Sequence, residues 1–545
     1  MKKYFNKLFL LVLVVSTLGC SDDYLSTQPT HAFTPSSALS SPENMLVALN
    51  GMHREMYGQS SLNSTWHGGE SYIMPMMEYG AGDYLRALPG TGWFKSTCQW
   101  TSHTDATSSN VEWVWYQYYH LIGSANNIIN SAEGMVETDL LDEVLGQAYA
   151  YRAWAHHRLV CLFAKNPQYS DETTELGVPV MLVTKFPYEG QARETVANVY
   201  AQCETDIQKA ITLLTGKSGR KSKTHITART ANGIAARIAL TKGDFVAAAT
   251  YANVAKSGLN LMSQDSYKSG FNSYENVEWM WGAEVVADQT NYYRSWFYYI
   301  GMNFNGSFDR GTPRIINSTL FNQIAVTDYR RDVFLDKMPD TTVAWDWEQE
   351  DGDSTNDFDP NYPTKAEFDK AVDSINALYF NNKTSFKKHP YQVAKFLNAN
   401  PATIEPEDVL FMRVSEMYLI EAEALARQGG KDAEATAVIS VLGNARVRVM
   451  EPALPEYDVA ARGLSLIDEI LLMRRIELFG EGHRWFDMLR NDEALDLAGS
   501  DADPSYYLKG YKQDKPSINN NWLFQIPQAE LNANANMVAN PAAVL

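Results

Sequence analysis

The stretch from Ile467 to Asn491, IDEILLMRRIELFGEGHRWFDMLRN, constrains the fold of this chain more than any other. Ile467, Ile470, Leu471, Leu478 and Phe479 recur at helical spacings, the signature of one apolar helix face, and that face must be buried. The same run carries Arg474, Arg475, Glu477, Glu481, Arg484, Asp487 and Arg490, with opposite charges three apart at Arg474/Glu477, Glu481/Arg484, Arg484/Asp487 and Asp487/Arg490. Gly480-Glu481-Gly482 interrupts it. Each glycine inside a helical pattern costs roughly 1 kcal/mol relative to alanine, so the pair marks a bend or a close contact. A charged helix pressed against neighbours in this way is a structural hub rather than an active site.

Helical pairs recur along the chain. From Thr227 to Leu259, Ala235, Ala236 and Ala239, the turn Lys242-Gly243-Asp244-Phe245, then Ala248 and Ala255 follow the tetratricopeptide pattern. Small residues let two antiparallel helices approach, Gly243 makes the turn and Phe245 fills the crevice. A second pair fits Asp408 to Arg446, with Met417, Ile420 and Ala424 before the break Gln428-Gly429-Gly430. Leu145 to Ala164 and Thr195 to Leu214 make another around the connection Leu176-Gly177-Val178-Pro179. Helices are also predicted from Pro42 to Tyr57 and from Val111 to Ala132, where Trp113, Trp115 and Tyr119 are core candidates. Such pairs stack to share a core, so the predicted fold is mostly α. It is a tetratricopeptide-like superhelix in one unit over residues 43–545, with its scaffold at about 111–260 and 405–491.

The remaining segments, about 58–109 and 265–400, have a different texture. Glu275 to Ala287 alternates as a strand that buries Trp279 and Trp281 on one face. Residues 58–109 show no clear period and hold Trp66, His67, Tyr72, Tyr79, Tyr84, Trp93, Phe94 and Trp100, which predicts a long ring-bearing loop. A sugar ring presents a flat C–H face and a rim of hydroxyls, so it is held by aromatic faces and by polar groups at the edge. Trp66, Trp93 and Trp296, with Tyr292 and Tyr293 beside them and Asp83, Asn291 and Arg294 as polar partners, are the candidate ligand contacts.

Several classes are disfavoured. A net charge of −19 argues against nucleic acid and against strongly anionic polysaccharides. No nucleophile elbow, HExxH zinc motif, phosphate-cradling glycine loop or paired-cysteine zinc site is present, and no catalytic residue is assigned. His156 and His157 are adjacent on a helix and point in different directions, which disfavours a metal site. Asp351, Asp353, Thr355 and Asp357 alternate like a calcium loop, but Tyr362 stands where the closing glutamate belongs. A solvated acidic loop is the preferred reading there, and calcium is the only cofactor left in view.

At the start, Lys2, Lys3 and Lys7 precede the apolar run Leu8 to Val15 and small residues up to Cys20, a secretory signal too short to span a bilayer. Because it ends on cysteine, residues 1–19 are expected to be removed and Cys20 lipidated, with 20–42 as a tether.

The motif Arg475-x-Glu477-Leu478-x-Gly480-Glu481-Gly482-x-Arg484-x-x-Asp487-x-x-Arg490 resembles the C-terminal signature of the SusD/RagB family of nutrient-binding lipoproteins. The resemblance extends to Arg152-Ala153-Trp154, Gly177-Val178-Pro179, Thr195-Val196-x-x-Val199-Tyr200, Asp328-Tyr329-Arg330-Arg331 and the tail Trp522-Leu523-Phe524-Gln525-Ile526-Pro527. Ser21-Asp22-Asp23-Tyr24-Leu25 after the cysteine is similar to the export tag of surface lipoproteins. The resemblance implies a lipoprotein on the outer face of the outer membrane that captures an oligosaccharide without cleaving it. Its cargo would pass to a SusC-like, TonB-dependent transporter. Capture of peptides, a lipid-anchored glycosidase and a protein-binding adaptor are the alternatives.

Overall fold

The computed structural model describes residues 39–58, 68–184, 190–217, 222–286, 295–348, 358–405 and 407–543. The helical layer begins with α1 (Pro42–Glu55), capped by the Ser41 hydroxyl, and continues with α2 (Glu70–Tyr79). All ten residues of α2 are buried. That overturns the expectation of a loop over 58–109: a helix enclosed on every side has no polar face and therefore no period to read. The chain then forms β1 (Tyr84–Arg86), α3 (Ser109–Ser131), α4 (Asp139–Phe163), α5 (Val196–Leu214), α6 (Ala228–Lys242) and α7 (Phe245–Lys256).

Neighbouring helices in this run pack in sequence, α3 on α4, α4 on α5, α5 on α6 and α6 on α7, which is the expected superhelix. Gly243 ends α6 at φ +90°, and the Asp244 carboxylate accepts the N–H of Ala247 to start α7. The next elements are β2 (Trp279–Ala283), α8 (Trp296–Ile300), β3 (Arg314–Ile316), β4 (Phe334–Leu335), α9 (Lys365–Tyr379), β5 (Gln392–Val393) and β6 (Val409–Arg413). β1, β3, β5 and β4 form an antiparallel sheet in that order. β2 pairs antiparallel with β6 through a register shift at Trp279–Trp281, and all five residues of β2 are buried. Met302, Met338, Phe380, Phe386, Ala394 and Ala402 make a small separate core where α9 joins the sheet.

The C-terminal scaffold is α10 (Val414–Arg427), α11 (Asp432–Arg446), α12 (Leu466–Glu477) and α13 (Arg484–Arg490). The pair expected from Asp408 therefore starts as a strand and becomes helical at Val414. α10 lies against α7, α11 and α12, which closes the superhelix.

Gly480 and Gly482, at φ +80° and +82°, break the charged stretch between α12 and α13. Of the four local ion pairs suggested by spacing, Asp487/Arg490 forms at 2.9 Å. The other charges reach across the fold. Glu477 accepts from Arg330 Nη1 at 2.8 Å, from Arg446 Nε and Nη2 at 3.0 and 2.8 Å, and from Arg413. Glu278 pairs with Arg446 and Arg413, Asp328 pairs with Arg330, and Glu481 takes Arg413 and, at 2.6 Å, Lys395. Arg330, Arg413, Arg446 and Lys395 thus face Asp328, Glu278, Glu477 and Glu481, all of them buried. Desolvating so many charges is tolerable only because each is paired and hydrogen-bonded.

Candidate functional site

Among the described rings of residues 68–109, Trp93 is half-buried, whereas Tyr72, Tyr79, Tyr84, Phe94 and Trp100 are buried. The Trp93 indole is propped edge-on by Tyr298, with centroids 5.7 Å apart at 84°, and rests tilted on Tyr299 at 5.5 Å. Those two tyrosines lie on α8. Beneath them, Tyr79 Oη donates to the Tyr299 carbonyl at 2.8 Å and Tyr84 Oη to that of Ile300 at 2.7 Å.

Arg86 fixes the backbone that carries the ring. Its Nη1 donates to the Trp93 carbonyl at 2.6 Å and its Nη2 to the Thr91 carbonyl at 2.7 Å. Its guanidinium lies 5.3 Å from the Phe308 centroid and 5.2 Å from that of Tyr506. A half-buried indole on a fixed backbone and an aromatic bed is held in one orientation.

The structure rearranges the other predicted contacts. Trp296, 2% exposed, turns inward and meets Phe396 edge-on at 5.7 Å, so it offers no face to a ligand. Asp83 is equally committed: its carboxylate takes Arg475 Nε at 3.0 Å and Arg484 Nε at 3.1 Å. Burial pushes the Asp83 carboxyl up, but the two guanidiniums outweigh burial and hold it below the usual carboxylate range. It is a strut of the charged hub and not a sugar-edge acceptor. Beside it, burial and the Asp83 charge push Glu78 up to about 7, against N–H donation from Gly482 at 2.7 Å and His483 at 3.0 Å.

Trp66, Asn291, Tyr292, Tyr293, Arg294, Cys20 and the acidic run Asp351 to Asp357 lie outside the described residues. Further along the chain from Trp66, Tyr72 packs edge-on against Tyr299 of α8 at 5.4 Å.

A second concavity, of about 660 Å³, runs along α3. Trp115 and Tyr119, 4.7 Å apart, form its base, and Tyr116 stacks on His120 at 5.5 Å and 18°. His120 Nε2 lies 3.0 Å from Glu55, a hydrogen bond that raises the imidazole pKa. One wall is the segment from Pro179 to Thr184 and the other is the tail around Glu530 and Asn534. Trp115 is buried as expected, whereas Tyr119 is half-buried and lines the groove. Tyr116 and His120, one turn apart in EWVWYQYYH, carried the only sequence signal for this feature.

Among the described residues no cluster of three or more His, Cys, Asp or Glu could hold a metal. His156 donates from Nδ1 to the Arg152 carbonyl at 3.0 Å and accepts the Met181 N–H, while His157 sits against Cys161.

Stacked helical pairs that carry a ring-bearing face beside a small antiparallel sheet define a helical-repeat binding scaffold. The model of the SusD family matches residues 248–542, and a second model, described as starch-binding associating with outer membrane, matches residues 84–240. The chain belongs to the SusD family. Its fold is similar to a SusD-like carbohydrate binding protein from Bacteroides vulgatus, with 21% identity, TM-score 0.69 and coverage of 91% of this chain and 97% of the other. A putative sugar binding protein from the same organism is similar at 22% identity and TM-score 0.68, covering 93% and 100% of the two chains. A SusD-like protein of Formosa agariphila is 32% identical over 105 residues, a match spanning 19% of this chain and 20% of that relative.

Proposed function

We propose that this protein is a non-catalytic surface lipoprotein of the outer membrane that captures a neutral oligosaccharide and delivers it to a SusC-like, TonB-dependent transporter. Membership of the SusD family carries the reading, and the half-buried Trp93, held against Tyr298 and Tyr299, is the ligand contact it favours. The outer-membrane association in the description of the second family model, and the sugar-binding descriptions of two structural neighbours, support the same reading. Among the described residues no helix is long and apolar enough to cross a membrane, and lipidation of Cys20 would supply the anchor.

Binding is favoured over hydrolysis because the family is one of binding proteins, and the buried carboxylates described above are held by arginines, lysine or backbone N–H groups. The contacts proposed for the ligand are Trp93, which packs on Tyr298 and Tyr299 of α8, together with Trp66, Asn291, Tyr292, Tyr293 and Arg294. Titration with a panel of neutral oligosaccharides tests this. Binding that weakens roughly tenfold in Trp93→Ala, with no new reducing ends after incubation, is the expected result. Release of reducing sugar, or binding of peptides and of no glycan, would overturn it.

A further inference from the structure

Phe94 follows Trp93 directly, and its backbone stands at φ +54° and ψ +13°, in the left-handed region. For a residue that carries a β-carbon this conformation is disfavoured roughly five- to thirtyfold in population, so it persists only where the surroundings hold it. The short helix Lys95–Cys98 starts at this turn, and the Phe94 carbonyl accepts the Cys98 N–H at 2.9 Å.

The Phe94 ring supplies the hold. It stacks on Tyr72 at 5.0 Å and 26°, stacks on Tyr79 at 4.8 Å and 21°, and meets Tyr299 edge-on at 5.3 Å and 87°. Tyr72 and Tyr79 are seven residues apart on α2, about 10.5 Å along a helix axis. That rise is close to the two stacking distances laid end to end, so the ring lies between the two tyrosines and not beside one of them. Both walls of the slot are tethered. Tyr79 is bonded to the Tyr299 carbonyl, and Tyr72 Oη donates to Asn110 on α3 at 2.9 Å. Trp93 rests on the same Tyr299 that closes the slot, so the two neighbouring rings part company at the turn, Phe94 into the core and Trp93 to a half-buried place beside α8.

We propose that Phe94 is the positioning residue of the ligand contact: its ring, slotted between Tyr72 and Tyr79, holds the left-handed turn that sets the course of Trp93. The inference rests on the reading of Trp93 as a ligand contact, and the two are tested apart.

Maltohexaose, cellohexaose, mannohexaose and xylohexaose are titrated calorimetrically into the full chain and into Phe94→Ala, Phe94→Gly, Phe94→Leu and Trp93→Ala. Labelling with 5-fluorotryptophan follows the indoles by their fluorine resonances, the Trp93 signal being the one missing from Trp93→Ala. Alanine and glycine remove the ring alike, but glycine takes a positive φ without steric cost, so a role confined to filling the core predicts the same affinity and the same Trp93 signal in both. The expected result is an affinity about five- to thirtyfold weaker in Phe94→Ala, recovered by about threefold or more in Phe94→Gly, with the Trp93 resonance at different positions in the two. Phe94→Leu, which keeps an apolar side chain in the slot, should fall between wild type and Phe94→Ala, and it takes the place of Phe94→Ala in the comparison if the alanine variant does not fold. Phe380→Ala breaks the stack on Phe386 in the separate small core and should lower the melting temperature while leaving both readouts unchanged. Equal affinities and one shared Trp93 resonance in Phe94→Ala and Phe94→Gly overturn the positioning role. Wild-type binding by Trp93→Ala, or binding of no hexasaccharide, overturns the ligand reading alone, and the Trp93 resonance still decides whether Phe94 holds the turn.

Discussion

Glu477 is the carboxylate on which Arg330, Arg413 and Arg446 converge, and Glu477→Gln tests whether that convergence holds the scaffold. The amide keeps the shape of the side chain, but it removes the charge and turns an N–H₂ group toward arginine donors. Three buried guanidiniums would then share Glu278, Asp328 and Glu481, the last of which also holds Lys395. Removing one partner of a buried pair costs roughly 3–5 kcal/mol, because the charge left behind stays out of water. Unfolding entropy near 2.1 cal/mol/K per residue amounts to roughly 1 kcal/mol/K for a chain of this length, so the melting temperature should fall by about 3–5 °C. Calorimetry at pH 7 reads the shift, with Glu434→Gln as the control. Glu434 pairs with Lys431 at 2.8 Å on the exposed surface, and that variant should melt with the wild type. Arg330→Met should also cost less in the Glu477→Gln background than alone, since the interaction it breaks is already lost. A Glu477→Gln melt indistinguishable from wild type, with additive costs in the double variant, would refute the reasoning.

Gly480→Ala should lower stability by about 2–4 kcal/mol in a urea melt, since alanine is strained at φ +80° and its Cβ would lie 2.5 Å from Phe396 Cε2. For Asp487, burial raises the carboxyl but Arg474 and Arg490 outweigh it and bring it down to about 2. The folded value lies below the unfolded one, so this group contributes ~2 kcal/mol that is complete above about pH 5 and is lost as pH falls toward 2. Melting curves from pH 6 to 2.5 should accordingly be less steep in acid for Asp487→Asn than for wild type. Arg86→Met leaves Trp93 in place but frees the Thr91 and Trp93 carbonyls, so oligosaccharide affinity should fall several-fold in calorimetry while the far-ultraviolet dichroism is unchanged.

Much of the scaffold was legible because its signals are local. The small residues around Gly243 specify a tight helical pair within one window, and the Gly480–Gly482 interruption announces a break that the positive φ angles realise. What could not be read depends on contacts distant in sequence. Arg475 and Asp83 are 392 positions apart, and no spacing rule links them, so Asp83 looked like a free acid at the edge of a ring-rich loop. α2 was hidden for a different reason: Pro75 and an unbroken shell of neighbours erase the amphipathic period by which a helix is recognised. Trp296 and Trp93 are alike as residue types, and only the inward turn of α8 decides which of them reaches solvent.

The buried charges also bear on when the chain can close. Their carriers are strung from Glu278 to Glu481, and the two carboxylates that neutralise most of the guanidiniums, Glu477 and Glu481, come last. Until those arrive, Arg330 has Asp328 alone while Arg413 and Arg446 compete for Glu278, so sealing the helical layers would bury excess positive charge. The charge balance of the core is therefore completed by its most C-terminal carriers, so closure of the interior couples the end of the chain to its middle.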